Sequence, residues 1–546
     1  MNEPASALGP FRHGVFRSVW IANLVSSFGG MIQSVGAAWM MVALAASAQM
    51  VTLVQASTTL PIVMLALLAG ALADAYDQRK LMIIAQVFML VVSTALAVTA
   101  WLGLLTPWLL LLFTFLIGCG GALNAPAWQA SVGAMVPRQD VPSAIALNSM
   151  SFNLARSVGP AIGGLIVAIA GAAAAFTVNA LSYLGLVYVL LRWRTEPEGR
   201  VLPREPLGQA MMSGLRYVSM SPNISAALVR GLVTGIGASS VIALLPLIAR
   251  DLVGGGPATF GLLLGAFGAG AVVGAFWSHR LRIAYANERV VRFALAGSAL
   301  GIAVAGLSSW LLLTMAAMVL CGLGWVLVVS ILNANVQLSA PRWVVARALS
   351  LWQMATFSGM AAGAWLWGAV TDGSGLTAAL LAGASVQLAC IALGHWFRLP
   401  EIEDMRLDLR NFSEPATDVP VQGRTGPIVI TIEYRIAPAD TYAFLGAMAE
   451  RRQVRRRNGA RRWTLLRDLA DSELWLERYH CPTWTEYLRH NSRFTTDDGL
   501  VGERIRALHQ GPGKPVVRRW VERQTGFPPE GPGMEPKEWA PPMTET

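Results

Sequence analysis

Gly70-Ala-Leu-Ala-Asp74-Ala-Tyr-Asp77-Gln-Arg79-Lys80 is the stretch whose reading decides the fold of this chain. It is short and charged, and it lies between an apolar run beginning near Val51 and another beginning near Leu81. About 20 apolar residues cross the hydrocarbon core of a bilayer as a helix, so a brief charged link between two such runs is a loop at the membrane surface. Each residue type has a use there. Gly70 permits close helix approach, Asp74 pairs with an arginine or accepts from a helix N-terminus, and Arg79 with Lys80 hold the membrane edge.

Working outward, apolar runs recur from about Phe16 to about Phe397. They begin near Val19, Val51, Leu81, Trp108, Ile145, Ala173, Ile224, Phe260, Val290, Leu311, Ala346 and Ala378, which predicts twelve spans. The even connections carry cations: Arg79 and Lys80; Arg138; Arg192, Arg194, Arg200, Arg204 and Arg216; Arg280, Arg282 and Arg289; and Arg342. The odd connections, as at residues 45–50, 103–107 and 308–309, are short and nearly uncharged. Arg250 with Asp251, and Asp372, are the exceptions. Positive charge is retained on the cytoplasmic side, so both termini are expected there.

Composition agrees. Of 546 residues, 54% are hydrophobic and only 14% charged, against about 25% charged in a soluble domain. This excludes a cytosolic enzyme, a secreted module and a collagen-like or disordered chain. The net charge of +10 falls entirely in residues 1–398, with 20 Lys+Arg against 10 Asp+Glu, whereas residues 399–546 hold 22 of each. The excess therefore belongs to membrane loops, and no nucleic-acid partner is expected. Cys119, Cys321, Cys390 and Cys481 form no metal spacing and no disulfide framework. No cleavable leader is expected, because residues 1–15 are Pro/Gly-rich and the first apolar run is too long. No cofactor is expected either.

The longest polar connection, residues 194–220, divides the spans six and six, and the halves echo each other. Val136-Pro137-Arg138 leads to Ala146-Leu147, Gly159 and Gly163-Gly164; later, Ala340-Pro341-Arg342 leads to Ala348-Leu349, Gly359 and Gly363. Copies running in one direction fit halves related by an axis along the membrane normal.

The stretch at Gly70–Lys80 resembles the loop signature of the major facilitator superfamily, with Asp77 where that family usually has Gly. The counterpart Gly274-Ala-Phe-Trp-Ser278-His-Arg280 lacks the acid. Gly159-Pro160 with Gly163-Gly164 resembles the fifth-helix motif of exporters in that superfamily; Pro160 loosens the helix where a rocking bundle bends. Asn153 and Arg156, Ala125-Pro126-Ala-Trp128-Gln129, and Gln353-Met354 before Gly363-Ala-Trp365-Leu-Trp367-Gly368 look like the branch that includes the enterobactin exporter and the transmembrane secretion effectors. The resemblance covers about residues 12–400.

Ionisable residues within spans are functional candidates. Arg156 either bridges to Asp74 or Asp77, meets an anionic substrate, acts as a structural lock where the halves meet or snorkels to lipid headgroups, and Arg230 is expected at the interface. No Asp, Glu or Lys is placed at mid-membrane. The neutral candidates for a substrate cavity are Asn23, Gln33, Asn124, Gln129, Asn153, Asn333, Asn335 and Gln353, with Trp39, Trp128 and Trp352. Gln55 and Gln337 accompany them, and interhelical hydrogen bonding is the competing use of every one. Trp101, Trp108, Trp193, Trp310 and Trp396 read as interface anchors.

After Pro400 the composition becomes that of a soluble domain. Residues 428–436 alternate like a strand, a helix is expected from Pro438 to Arg457, strands at 461–468 and 473–481, a helix at 483–509, and a last strand at 514–521. Residues 526–546 are Pro-rich and expected to be disordered. The β-α-β-β-α-β order is a split ferredoxin-like unit and resembles dimeric domains of the antibiotic-biosynthesis-monooxygenase type, which implies a homodimer. His480, Trp484, His490 and Asn491 are of types used in haem or oxygen chemistry, but read as cofactor-free surface residues. Arg451, Arg452, Arg455, Arg456 and Arg457 either touch anionic lipid or form a solvated helix end.

The sequence thus predicts an all-α polytopic membrane protein with twelve transmembrane helices in two six-helix halves, plus a C-terminal cytoplasmic α+β ferredoxin-like domain. The expected divisions are an N-terminal segment 1–15, halves 16–193 and 221–398 about a central loop 194–220, a linker 399–426, a soluble domain 427–525 and a tail 526–546. The resemblance implies a secondary transporter of the bacterial inner membrane, with no catalytic or metal-ligating residues, that exports a siderophore-like molecule, secondary metabolite or drug. An importer of the same fold, or a membrane-anchored sensor or enzyme acting through the soluble domain, is the alternative. No Gly-x-x-x-x-Gly-Lys-Ser/Thr motif is present, so energy is expected from a gradient.

Overall fold

The computed structural model describes residues 8–44, 47–193, 207–341, 343–399, 412 and 414–522. The side chains of Leu67, Ala71, Ala73, Asp74, Ala75, Ala130, Ala134, Arg138, Pro142, Leu207, Gln209, Ala210 and His279 are not part of that description. The expectations for the Asp74 and Arg138 side chains, for Arg194, Arg200, Arg204 and Arg342, and for the tail 526–546 therefore lie outside the described residues.

Helices dominate: α1 (Gly14–Leu44), α2 (Ala48–Ala75), α3 (Gln78–Trp101), α4 (Pro107–Met135), α5 (Val141–Arg192), α6 (Leu207–Ser219), α7 (Pro222–Leu247), α8 (Pro257–Ala284), α9 (Asn287–Leu307), α10 (Leu311–Ser339), α11 (Val345–Ser374) and α12 (Leu376–Leu393). Among the described residues, ten helical segments are long and apolar enough to cross a membrane. One of them runs 50 residues. At 1.5 Å per residue that is about 75 Å, more than twice a ~30 Å hydrocarbon core. The helix breaks at Gly171, whose φ of 79° suits glycine. α11, 30 residues long, is more polar and is not one of the ten.

Starts are set by local chemistry. Ser47 caps α2, Asp77 caps α3 and Thr106 caps α4, each accepting from first-turn amides that have no partner within the helix. Pro107 and Pro257 stand in the first turns of α4 and α8, where no amide hydrogen is needed. Large apolar side chains such as Ile84, Ile169, Phe276 and Phe293 point outward, as lipid contact requires. Trp101, Trp108, Trp310 and Trp396 are exposed near helix ends, but Trp193, expected among the anchors, is buried.

By compactness the chain falls into two units. One comprises residues 1–207, 225–337 and 349–401; the other comprises Gly208–Ile224, Leu338–Ala348 and Ile402–Thr546. The region read as a central loop thus contains a helix, α6, that belongs with the tail and not with the spans.

In the second unit the tail forms β1 (Ile428–Arg435), α13 (Thr441–Arg457), β2 (Arg461–Arg467), β3 (Leu474–Cys481), α14 (Trp484–Ser492), α15 (Thr496–Ala507) and β4 (Val516–Val521). The sheet is antiparallel, in the order β2-β3-β1-β4, with Ile430 opposite both Tyr479 and Arg519. Ile428, Ile430, Ile432 and Tyr434 alternate onto the buried face and pack with Phe444 and Met448 of α13. The single helix expected at 483–509 is two helices. The first ends at Ser492 with Arg493 as its cap, and Thr495 starts the second through a reciprocal capping box with Asp498. The end of the expected linker is tied to α14: the Trp484 indole donates to Glu414 at 2.8 Å, and the Trp484 amide to the Thr425 carbonyl at 2.7 Å.

The arginine run on α13 corrects its reading. Arg451 and Arg455 turn inward and donate to Glu477 of β3 at 2.8 and 3.1 Å, joined by the Tyr434 hydroxyl at 2.9 Å and the Trp463 indole at 3.1 Å. Burial alone would raise the Glu477 pKa, but the two guanidiniums outweigh it and hold the carboxylate at about 2. A depressed pKa stabilises the fold above the unfolded value of 4.5, and that stability is lost as pH falls toward 2. Hydrogen exchange of β1 and β3 amides, corrected for intrinsic rate, is expected to lose protection from pH 5 to 3 in the wild type. Glu477→Gln should be less protected at pH 5 by about 3 kcal/mol, since it strands two buried cations, and should show a flatter pH response. Equal slopes in both proteins would rule this out.

Candidate functional site

Asp77 places its carboxylate on the Arg79 amide at 2.9 Å and the Lys80 amide at 3.4 Å. The acid that departs from the family pattern is therefore the cap of α3. Arg79 donates from Nε to the Leu190 carbonyl at 2.8 Å and from Nη2 to the Leu191 carbonyl at 2.9 Å. It clamps the last carbonyls of α5, which have no partner within the helix and carry the negative end of its dipole. Lys80 is exposed. A β-carbon at Gly70 would meet nothing within 4 Å, so the close helix approach expected there is absent among the described residues.

The glycines of α5 make two seams. Gly159 and Gly163 face α1: β-carbons there would fall 2.6 Å from Met31 Cβ and 3.0 Å from Ile32 Cα. Gly164 faces α8, at 2.7 Å from the Pro257 carbonyl oxygen and 2.9 Å from Gly261 Cα. Pro160 is buried between them, and its carbonyl lies 2.6 Å from a β-carbon built at Gly261. The second half repeats the first seam: Gly359 and Gly363 of α11 press on the backbone of α7 at Leu232 and Ile236. The echo seen in the sequence is thus a repeated helix contact, α1 with α5 and α7 with α11.

Asp372, an exception in the charge pattern, also has a place. From the end of α11 it accepts the Ala48 amide at 2.7 Å and the Gln49 amide at 3.1 Å, completing the N-terminus of α2. Nearby, a β-carbon at Gly368 would fall 2.7 Å from Gln49 Cα. These contacts and the Gly164–Gly261 approach hold the helices together at the end of the bundle where α2 and α8 start. Losing such a cap costs about 1 kcal/mol. Asp372→Ala is therefore expected to raise the maleimide labelling rate of a cysteine at Thr52, which is fully buried beside Gly368, by about fivefold. An unchanged rate would remove the latch.

Arg156 lies with its guanidinium 5.6 Å over the Phe267 ring of α8. Among the described residues it has no carboxylate partner. The bridge to Asp77 is absent, since that carboxylate caps α3.

The polar set divides. Gln33 is buried, accepts from Ser93 at 2.9 Å and from Asn179, and so joins α1, α3 and α5. Asn179 also donates to Tyr183 at 3.3 Å. Gln33 is thus a structural tie, not cavity lining. Trp352 is buried against Gly231 of α7. Asn153 donates to the Ser149 carbonyl of its own helix at 2.8 Å. Trp39 of α1 stacks 6.5 Å from Phe260 of α8. Asn23, Asn333 and Trp128 are half-buried, and Gln129 and Gln353 exposed. Asn124 Oδ1 and both amide atoms of Asn335, a fully buried residue, have no hydrogen-bond partner among the described residues.

Arg230, expected at the interface, is fully buried on α7. Its Nη1 lies 2.5 Å from Glu288 of α9 and 3.4 Å from the Phe397 carbonyl, and Glu288 also holds Arg292 at 3.1 Å. Glu288 carried no sequence signal beyond its place in the first turn of a span.

The described architecture is that of known transporters. A bacterial homologue of the human lysosomal transporter Spinster, inward-facing and occupied, superposes with a TM-score of 0.58 at 12% identity, covering 72% of this chain and 98% of that one. The nucleoside transporter NupG gives 0.58 at 12% identity, covering 70% and 100%. In sequence, the enterobactin exporter EntS of Shigella boydii is 30% identical over 371 residues, 65% of this chain and 85% of the relative. Its Escherichia coli counterpart is 28% identical over 353 residues, covering 61% and 82%. The profile of the transmembrane secretion effector family matches residues 5–525. With that match across both the helical bundle and the tail, the chain belongs to the transmembrane secretion effector family of the major facilitator superfamily and is a multi-pass secondary transporter of the inner membrane.

Proposed function

We propose that this transporter exports a small organic molecule by rocking two six-helix halves about a central site, with both termini in the cytoplasm. The observation that carries the reading is the repeated seam, α5 on α1 and α11 on α7 through glycines four residues apart. Two equivalent rigid halves are what alternating access needs. Twelve spans follow if the 50-residue helix counts as two, on either side of Gly171, and α11 spans despite its polarity. The distribution of Arg79, Lys80, Arg280, Arg282 and Arg289 supports the orientation.

The relatives' name argues for a siderophore-like cargo, bulky and partly polar. Trp39, Asn124 and Asn335 are the groups suited to meet it, the two asparagines because Asn124 Oδ1 and both amide atoms of Asn335 have no hydrogen-bond partner among the described residues. The protein moves its cargo without converting it, driven by an ion gradient or the cargo's own gradient. The tail's strand order β2-β3-β1-β4 fits a ferredoxin-like unit, and pairing of two such units would make the transporter a dimer.

The test is untargeted mass spectrometry of medium and cell extract from the native host with the chain deleted and restored. A compound that accumulates inside and disappears outside on deletion is the expected result, and it names the cargo. Depletion inside with the medium left unconsumed would mean import.

A further inference from the structure

The tail contains a cavity of about 370 Å³ bounded by the sheet and by α13 and α15. Ile432, Tyr434 and Phe494 line its apolar side, and Arg451, Arg455 and Lys514 bring cations to it. The charges do not balance. Arg451 and Arg455 share a single buried carboxylate, Glu477. Asp498, the one acid on the wall, is already held by Arg457 at 2.5 Å and by its capping box. Arg451 spends its Nε on Glu477, while its Nη1 faces α15, 3.3 Å from a β-carbon built on Gly502. Lys514 has no ion-pair partner among the described residues. Surplus positive charge in a partly enclosed apolar pocket selects an anion with an apolar body, and the volume is that of a small-molecule site.

The same walls are joined to the links between spans. Arg457, which holds Asp498, lies 5.0 Å over the Tyr217 ring of α6. Arg493, next to Phe494, lies 4.2 Å over Trp343, and Tyr217 meets Trp343 edge to face at 5.4 Å. α6 is on the stretch of chain between α5 and α7, and Trp343 is on the stretch between α10 and α11. We propose that the tail is a receptor for a small aromatic carboxylate, and that its occupancy alters the grip on these two links and so regulates transport. The proposal does not depend on the direction of transport.

The purified full-length protein would be titrated with 1-naphthoate and with neutral 1-naphthamide, followed by calorimetry and hydrogen exchange. Naphthoate is expected to bind one to one, about tenfold tighter than the amide, because a charge-assisted contact is lost in the latter. Lys514→Gln, an alteration at the rim that removes no buried pair, should weaken naphthoate about fivefold and leave the amide unchanged. Gly502→Leu should fill the cavity and abolish binding of both. Naphthoate should change exchange at residues 211–219 and 343–348 in the wild type and not in Gly502→Leu. Absence of binding at about 1 mM, equal affinity for acid and amide, or full binding by Gly502→Leu would overturn the site. Binding with no change at either link would overturn the regulation.

Discussion

Gly164→Leu is expected to reduce transport at least tenfold at unchanged expression, and to speed maleimide labelling of a cysteine at Thr52. The reason is steric and specific to this conformer. A β-carbon at Gly164 meets the Pro257 carbonyl oxygen at 2.7 Å and Gly261 Cα at 2.9 Å, both backbone atoms of α8 that cannot turn aside as a flexible side chain would. Gly261 is equally constrained from its own side by the Pro160 carbonyl at 2.6 Å. Overpacking of this kind costs about 1–3 kcal/mol, which moves a two-state equilibrium roughly 5- to 150-fold. The cost falls on the state in which α5 and α8 are closed against each other, so the variant populates the state in which they part. Transport fails because a cycle needs both states. Gly185→Leu is the control: beyond the break at Gly171, with nothing within 4 Å of its β-carbon, it should transport normally. Wild-type transport by Gly164→Leu, or unchanged labelling at Thr52, would remove the seam from the cycle.

Much of this was legible before any coordinates. Lipid demands long apolar runs, and most spanning helices start within a few residues of where a run begins, as α2 does at Ala48 and α9 at Asn287, whereas the run near Ala173 continues α5 past its break at Gly171. The glycine echo was legible too, because close helix contact in a membrane selects small residues one turn apart. Which face of a span looks inward was not. Lipid and the bundle interior are both apolar, so periodicity does not separate them, and Gln33 read as cavity lining when it ties α1 to Ser93 and Asn179. Partners distant in sequence were also hidden. Nothing in the run Arg451–Arg457 of α13 announces that Glu477, on a strand beyond a turn, draws two of its members inward. His490 read as a surface residue for the same reason. It is buried, between Arg455 at 3.2 Å and the Asn458 carbonyl at 3.2 Å, and burial together with Arg455 pushes its pKa well down, keeping it neutral. Asp372 was visible only as an exception to the charge rule, since its partner is the backbone of a helix 324 residues away.

Glu288→Ala is expected to cost most of the folded protein, and Arg230→Met distinctly less. Arg230 has no solvent exposure, whereas the Glu288 side chain keeps 20% of its own. Without Glu288, the guanidinium is left with the Phe397 carbonyl at 3.4 Å, and its Nε and Nη2 already have no partner among the described residues. An uncompensated charge in such surroundings costs about 3–5 kcal/mol. Without Arg230, Glu288 still has Arg292 at 3.1 Å and partial hydration, so the loss is smaller. The double variant Arg230→Met with Glu288→Leu removes both charges and keeps the volume, and should recover most of the folded yield, since a buried pair replaced by apolar groups is often neutral. Asp251→Ala, which breaks a solvent-exposed neighbour pair with Arg250, should be indistinguishable from wild type. Monodisperse yield on size exclusion and the melting temperature in detergent read the series. Equal losses in the two single variants, or no recovery in the double, would show that the asymmetry of burial does not govern this site. Because the pair joins α7, α9 and the segment after α12 within what we read as one half, the folded double variant should also transport, and its failure to do so would mean that this charge pair moves during the cycle.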